Sequence, residues 1–91
     1  PLPGNDGRKG TTYSQDVISE KALGFIERNQ QQPFFCYFPS TMPHWELLVP
    51  EDSFREYRGK FPEKGFSRPN SRYADQPEMR AAYAAMVTRL D

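Results

Sequence analysis

The chain has 91 residues, its twelve basic and twelve acidic side chains cancel to a formal net charge of zero, and 36% of it is hydrophobic. That length bounds it to one domain or part of one with a modest share of surface to bury, and the charge balance leaves no global field to draw nucleic acid or an anionic membrane. The single cysteine, Cys36, excludes an internal disulfide framework, and no apolar run reaches membrane-spanning length.

Nine prolines and six glycines predict much irregular chain, while an aromatic content of 14% argues against a wholly disordered segment. The chain opens on Pro1, without a methionine or anything resembling a signal peptide, and Asp91 falls within a helical pattern. Both ends therefore read as cut, and the missing targeting signal says nothing of the compartment.

Residues 1 to 12 show no periodicity and read as loop. From about Thr12 to Asn29 a helix is predicted, with Thr12 and Gln15 at the spacing of a capping box. Ile18, Ala22, Phe25 and Ile26 recur on one helical face, widened by Val17 and Leu23. Gly24 costs such a helix about 1 kcal/mol relative to alanine. The helix is expected to end before Pro33, because a proline disfavours helical geometry in its predecessor.

Phe34 to Phe38 is an aromatic run too short for a core helix and without alternation, as expected of a strand buried on both faces of a sheet covered by helices. One strand is not a sheet, so its partners must come from another copy, from outside the chain or from strands the pattern does not reveal. In open α/β sheets ligands collect beyond the carboxyl ends of the strands. The only histidine, His44, follows this run on a proline-bracketed turn.

Prolines 39, 43, 50, 62 and 69 keep residues 39 to 75 irregular, apart from a short helical turn expected over Glu51 to Tyr57 with Phe54 and Tyr57 inward. Between Arg55 and Arg72 six basic residues (Arg55, Arg58, Lys60, Lys64, Arg68, Arg72) face two acidic ones, Glu56 and Glu63. The imbalance suits an anion, but charge runs usually face water and the segment reads as solvated loop. A last helix follows Asp75-Gln76-Pro77-Glu78, which has the pattern of a cap, an early proline and an acid at the third position. Met79, Ala82, Tyr83, Met86 and Leu90 are its expected core stripe.

His44 is the first candidate for chemistry, since an imidazole can donate to an anionic oxygen, pass a proton to a leaving group or bind metal. A metal site would need carboxylates such as Asp52 or Asp75, whose spacing matches no ligand pattern. Cys36 is close to His44 in sequence, but a thiol buried within a strand would be raised in pKa and hidden, so no Cys–His nucleophile pair is expected. Neither a glycine-rich phosphate loop nor a Ser–His–Asp spacing is present.

Five landmarks in order carry a resemblance: Tyr13-Ser-Gln-Asp16, Ala22-Leu23 with Phe25-Ile26, Pro33-Phe34-Phe35, Pro43-His44-Trp45, and Tyr83-Ala-Ala-Met86 through Leu90-Asp91. From Tyr13 onward the chain resembles the middle of a type I sulfatase. The resemblance implies an α/β fold of the alkaline-phosphatase type, with residues 1–91 a single partial domain inside the catalytic domain. It also implies hydrolysis of sulfate esters, on a sulfated small molecule or glycan, by a formylglycine nucleophile beside a bound calcium. The histidine of the "Pro-His" landmark contacts the sulfate and helps the ester oxygen leave, and that role falls on His44.

Departures from the family are equally specific. Its nucleophile lies in a Cys-x-Pro-Ser-Arg or Cys-x-Ala-x-Arg motif, whereas Cys36-Tyr-Phe-Pro39-Ser40-Thr41 has proline one place late and no arginine. The Asp-Asn-Gly segment and aspartates that hold calcium, and the motif lysines, are absent. The isolated segment is thus expected to be inactive. A phosphonate or phosphodiester hydrolase of the same superfamily is the nearest alternative. A non-catalytic interaction module whose aromatic strand and loop bind a protein partner is the alternative from another class, whereas an unpartnered Phe34 to Phe38 favours self-association of the isolated segment.

Overall fold

Three helices and their connections make up the computed structural model, which describes residues 2, 4, 5 and 10–91. They are α1 (Ser14–Asn29), α2 (Glu51–Tyr57) and α3 (Met79–Leu90). The loop expected over residues 1 to 12 lies partly outside the described residues. Two units divide the chain, Pro1–Thr41 around α1 and Met42–Asp91 around α2 and α3.

In the first unit, Asn5 clamps the approach to α1: its side-chain amide donates to the Thr12 carbonyl at 2.8 Å and accepts the Thr12 N–H at 3.1 Å. The expected capping box does not form. Tyr13 is the N-cap, in extended geometry and without a side-chain cap bond, and Gln15 is buried with its Nε2 donating to Ser19 Oγ at 3.4 Å. At the other end, side-chain amides take up carbonyls that a helix leaves without partners. Asn29 Nδ2 donates to the Phe25 carbonyl at 2.7 Å and Gln30 Nε2 to that of Glu27 at 3.0 Å. The polar run that follows the apolar stripe therefore terminates the helix chemically as well as by its proximity to Pro33.

The apolar stripe of α1 stays largely uncovered in this chain, with Ile18, Leu23 and Ile26 exposed and Phe25 meeting Phe34 edge-on at 5.7 Å between centroids. Phe34 to Phe38 departs from the expected burial. Among the described residues no strand ladder forms there, Phe35 is 85% and Tyr37 77% exposed, and Cys36 is exposed too. Burial of an aromatic run needs apolar surface to cover it, and the described residues supply little beyond Phe25.

In the second unit, α2 and α3 pack together with opposite senses: the first turn of α2 meets the last turn of α3, and the residues after α2 meet those before α3. Phe54 from α2 and Ala81, Ala82, Ala85 and Met86 from α3 are buried, the alanines allowing close approach of the helices. Asp52 pairs with Arg89 at 2.9 Å, and Tyr57 Oη shares a hydrogen with Thr88 Oγ1 at 2.5 Å. Arg58 lies over the Phe54 ring at 4.4 Å and pairs with Glu51 at 2.9 Å and Glu78 at 3.2 Å. The buried face differs from the predicted stripe, since Tyr83 and Leu90 are exposed. Alanines and Met86 take the buried face of α3, and Tyr83 and Leu90 lie at its margin.

The connection between α2 and α3 is built from turns and one bridge. Lys60 N–H donates to the Tyr57 carbonyl at 3.1 Å across a turn whose third residue, Gly59, has φ 74°. A positive φ at that place is the type II requirement. Phe66 and Gln76 form an isolated antiparallel bridge, with N–H to carbonyl distances of 2.7 and 2.8 Å. A Cβ on Gly65 would stand 3.2 Å from the Pro77 Cα and carbonyl oxygen, so this neighbour of the bridge is kept small by backbone proximity.

Asp75 does not cap α3. The helix begins at Met79, with Glu78 as N-cap and no side-chain cap bond from it. The Glu63 carboxylate instead accepts the N–H of Arg80 and of Ala81, both at 2.9 Å.

Candidate functional site

His44 sits in the second unit, on a loop whose flanking residues are anchored. Met42 before it and Leu47 after it are buried, while the imidazole is exposed. Peptide bonds Met42–Pro43 and Trp45–Glu46 are cis. Trp45 packs edge-on against Phe66, with centroids 4.8 Å apart, and against Tyr73 at 6.1 Å. The Glu46 carboxylate accepts the Ala74 N–H, and the Leu47 carbonyl accepts Gln76 Nε2 at 2.7 Å. Three successive residues after His44 are thus held by the chain between Phe66 and Gln76.

His44 Nδ1 is 2.6 Å from the Trp45 carbonyl oxygen. A carbonyl only accepts, so Nδ1 carries the hydrogen and Nε2 is the atom left to act. The neutral ring presents Nε2 as an acceptor, and the imidazolium presents an Nε2–H donor. Such a group can steady a developing negative charge or protonate a departing oxygen.

Two concavities flank Trp45 within this unit. One, of about 530 Å³, is apolar and lined by Pro43, Leu47, Phe61, Met79 and Tyr83 with Trp45. Tyr83, exposed on α3, borders this hollow. The other, of about 590 Å³, is lined by Trp45, Phe66, Arg68, Asn70, Arg72 and Tyr73. Arg68 and Arg72, read from the sequence as part of a solvated basic loop, both border an aromatic pocket. No spacing rule would have brought them to Trp45; the Phe66–Gln76 bridge does.

The acidic candidates behave differently. Asp52 is committed to structure: the Ser53 N–H at 2.7 Å and the Arg89 guanidinium at 2.9 Å hold its carboxyl below the ordinary value of 3.8. Asp75 is exposed. Among the described residues no group of three or more His, Cys, Asp or Glu side chains could hold a metal ion. The described residues therefore do not fit the calcium that the resemblance implies. Cys36 is exposed, so the burial expected to rule out a Cys–His nucleophile pair is not found. Among the described residues no helix is long and apolar enough to cross a membrane.

The supporting bonds of Glu46, Glu63 and Gln76 are not marked by composition or spacing. Each side chain acts on a backbone group far away in sequence.

No family model matches the chain, and no solved structure matches it. Over 52 residues it is 38% identical to an uncharacterized sulfatase of Schizosaccharomyces pombe, a match covering 56% of this chain and 9% of that protein. The similarity points to a sulfatase-related segment, and the chain spans only a small part of the relative's length.

Proposed function

We propose that this chain is an interior segment of a sulfuric ester hydrolase with an α/β fold of the alkaline-phosphatase type, acting on a sulfated small molecule or glycan. In this reading His44 contacts the sulfate and assists departure of the ester oxygen. The class rests on one observation, the identity shared with a protein named a sulfatase. The role of His44 is supported by its exposed ring and by the Trp45 carbonyl, which occupies Nδ1 and leaves Nε2 as the atom to act. The uncovered stripe of α1 and the exposed Phe34 to Phe38 are what a segment would show if its covering layers came from a longer polypeptide. The nucleophile and the calcium ligands would come from there as well.

The experiment is turnover of an aryl sulfate by the polypeptide that carries this segment, with and without His44→Ala. Loss of a positioned donor is expected to lower kcat by roughly two to three orders of magnitude. Unchanged turnover removes His44 from the chemistry. Preference for a phosphonate or phosphodiester over the sulfate moves the protein to the neighbouring activity.

A second reading, a non-catalytic interaction module, is favoured by one observation, the exposure of Phe35 and Tyr37. Size-exclusion chromatography separates the two. A module predicts a well-behaved monomer that captures a partner, whereas an unpartnered segment predicts self-association.

A further inference from the structure

We propose that the hollow beside Trp45 is a binding site for an anionic saccharide, with the sugar ring against the indole and its sulfate or carboxylate between Arg68 and Arg72. The assignment of this ligand as the substrate's sugar rests on the sulfatase reading; the binding itself does not.

Four observations lead there. The hollow, about 590 Å³, has the size of a small-ligand site, and the rings of Trp45, Phe66 and Tyr73 share its lining about equally with the polar side chains of Arg68, Asn70, Ser71 and Arg72. Both guanidiniums are placed by aromatic rings: the Arg68 Cζ is 6.0 Å from the Phe66 centroid, and the Arg72 Cζ is 4.9 Å from that of Tyr73, whose hydroxyl accepts Arg72 Nη2 at 2.9 Å. Neither belongs to an ion pair among the described residues, where the pairs run Arg58 to Glu51 and Glu78 and Arg89 to Asp52. Glu46, next to Trp45 in sequence, has one carboxylate oxygen held by the Ala74 N–H, which fixes the stretch of chain that carries the indole.

The segment between the two arginines is preorganised. Ser71 N–H donates to the Arg68 carbonyl at 3.1 Å across Pro69 and Asn70, and Asn70 has φ 63°. Proline second and a positive φ third are the type II pattern, so Arg68 and Arg72 are presented from one fixed turn. Ser71 Oγ accepts the Tyr73 N–H at 3.1 Å, which leaves its hydroxyl hydrogen to donate. Planar guanidiniums suit oxyanions of carboxylate and sulfate type. Indole with amide and hydroxyl groups beside it suits a ring that is apolar on its face and polar at its rim. A nucleic acid is disfavoured by a chain with zero net charge.

Trp45 is the only tryptophan, so its fluorescence reads the site directly. The chain is titrated with a dextran sulfate oligosaccharide, an oligogalacturonate, neutral dextran of the same length and inorganic sulfate. Saturable change is expected with at least one anionic oligosaccharide, the two arms telling sulfate from carboxylate, and none with neutral dextran. Arg68→Gln and Arg72→Gln should each weaken binding about tenfold, the size of one charge-assisted contact, and Arg→Lys at either position should restore part of it. The proposal is overturned by equal binding of neutral dextran, by full effect from inorganic sulfate alone, by an unchanged affinity in the double Gln variant, or by no saturable change with either anionic oligosaccharide. Failure here leaves aryl sulfate turnover and its His44 dependence standing, and failure there leaves this binding standing.

Discussion

The Glu63 carboxylate accepts the Ala81 N–H at 2.9 Å, closing the start of α3 from eighteen residues upstream in the sequence. Its second oxygen accepts the Arg80 N–H at 2.9 Å, so one side chain satisfies two of the N–H groups that the first turn of a helix leaves without partners. A negative charge at that end also interacts favourably with the helix dipole.

Glu63→Ala is therefore expected to lower unfolding free energy by about 1 to 2 kcal/mol, the range of a lost helix cap. Glu63→Gln keeps an acceptor but loses the charge and should cost about half as much. Urea denaturation followed by Trp45 fluorescence gives both numbers. An unshifted midpoint for Glu63→Ala would show that water serves these N–H groups equally well.

Asp52 supplies the pH dependence. The Ser53 N–H lowers its pKa most, Arg89 adds to this, and desolvation opposes. With a folded-state pKa below the ordinary 3.8, the unfolded chain binds more protons than the folded one through that interval. The stabilisation is present above 3.8 and is lost as pH falls through the lower folded-state value. Asp52 is exposed, so water screens the pair and the amplitude is small. Asp52→Asn should narrow its stability gap to the parent as the solution is acidified below that range. Urea midpoints that stay equally far apart at every pH would contradict it.

The helices were legible because each carries apolar positions at helical spacing, and the pattern is local. Their caps were not. Thr12 with Gln15 and Asp75 with Glu78 have the right spacing, but Gln15 is turned inward to Ser19 and the α3 cap comes from Glu63. A cap competes with every other acceptor within reach, and sequence spacing describes only the near ones. His44 was legible as a lone imidazole between prolines. Its supports were not, because Glu46 and Gln76 bond backbone groups 28 and 29 residues away. The aromatic run from Phe34 to Phe38 has the length and unbroken apolar pattern of a buried strand, yet burial depends on a covering surface, and Phe35 and Tyr37 meet chiefly solvent.

Close approach of α2 and α3 depends on the alanine face. Ala81, Ala82 and Ala85 have no exposed surface at all, 0% each. Ala85→Leu should cost about 1 to 3 kcal/mol through overpacking, while Val87→Ala, on the exposed side of the same helix, should change stability by no more than about 0.5 kcal/mol. Equal urea midpoints for the two variants would mean that the helix pair yields without cost.

Gln76 joins the frame to the His44 loop. Its Nε2 donates to the Leu47 carbonyl at 2.7 Å, its Oε1 accepts the Glu78 N–H at 3.1 Å, and its backbone pairs with Phe66. Gln76→Met keeps the length and removes both side-chain bonds, stranding a largely buried carbonyl, which costs about 1 to 3 kcal/mol. Gln76→Glu is sharper. At neutral pH a carboxylate oxygen faces the Leu47 carbonyl with no hydrogen between them, whereas the protonated acid can donate again. Its deficit relative to the parent should therefore shrink on acidification, and the Met variant's should not. Hydrogen exchange of residues 42 to 48 locates the effect: faster exchange at Leu48 in both variants at neutral pH, reversed by acid in the Glu variant only after correction for the intrinsic pH dependence of exchange. If Leu48 exchanges at the parent rate in both, the loop carrying His44 is held by Glu46 and Trp45 without Gln76.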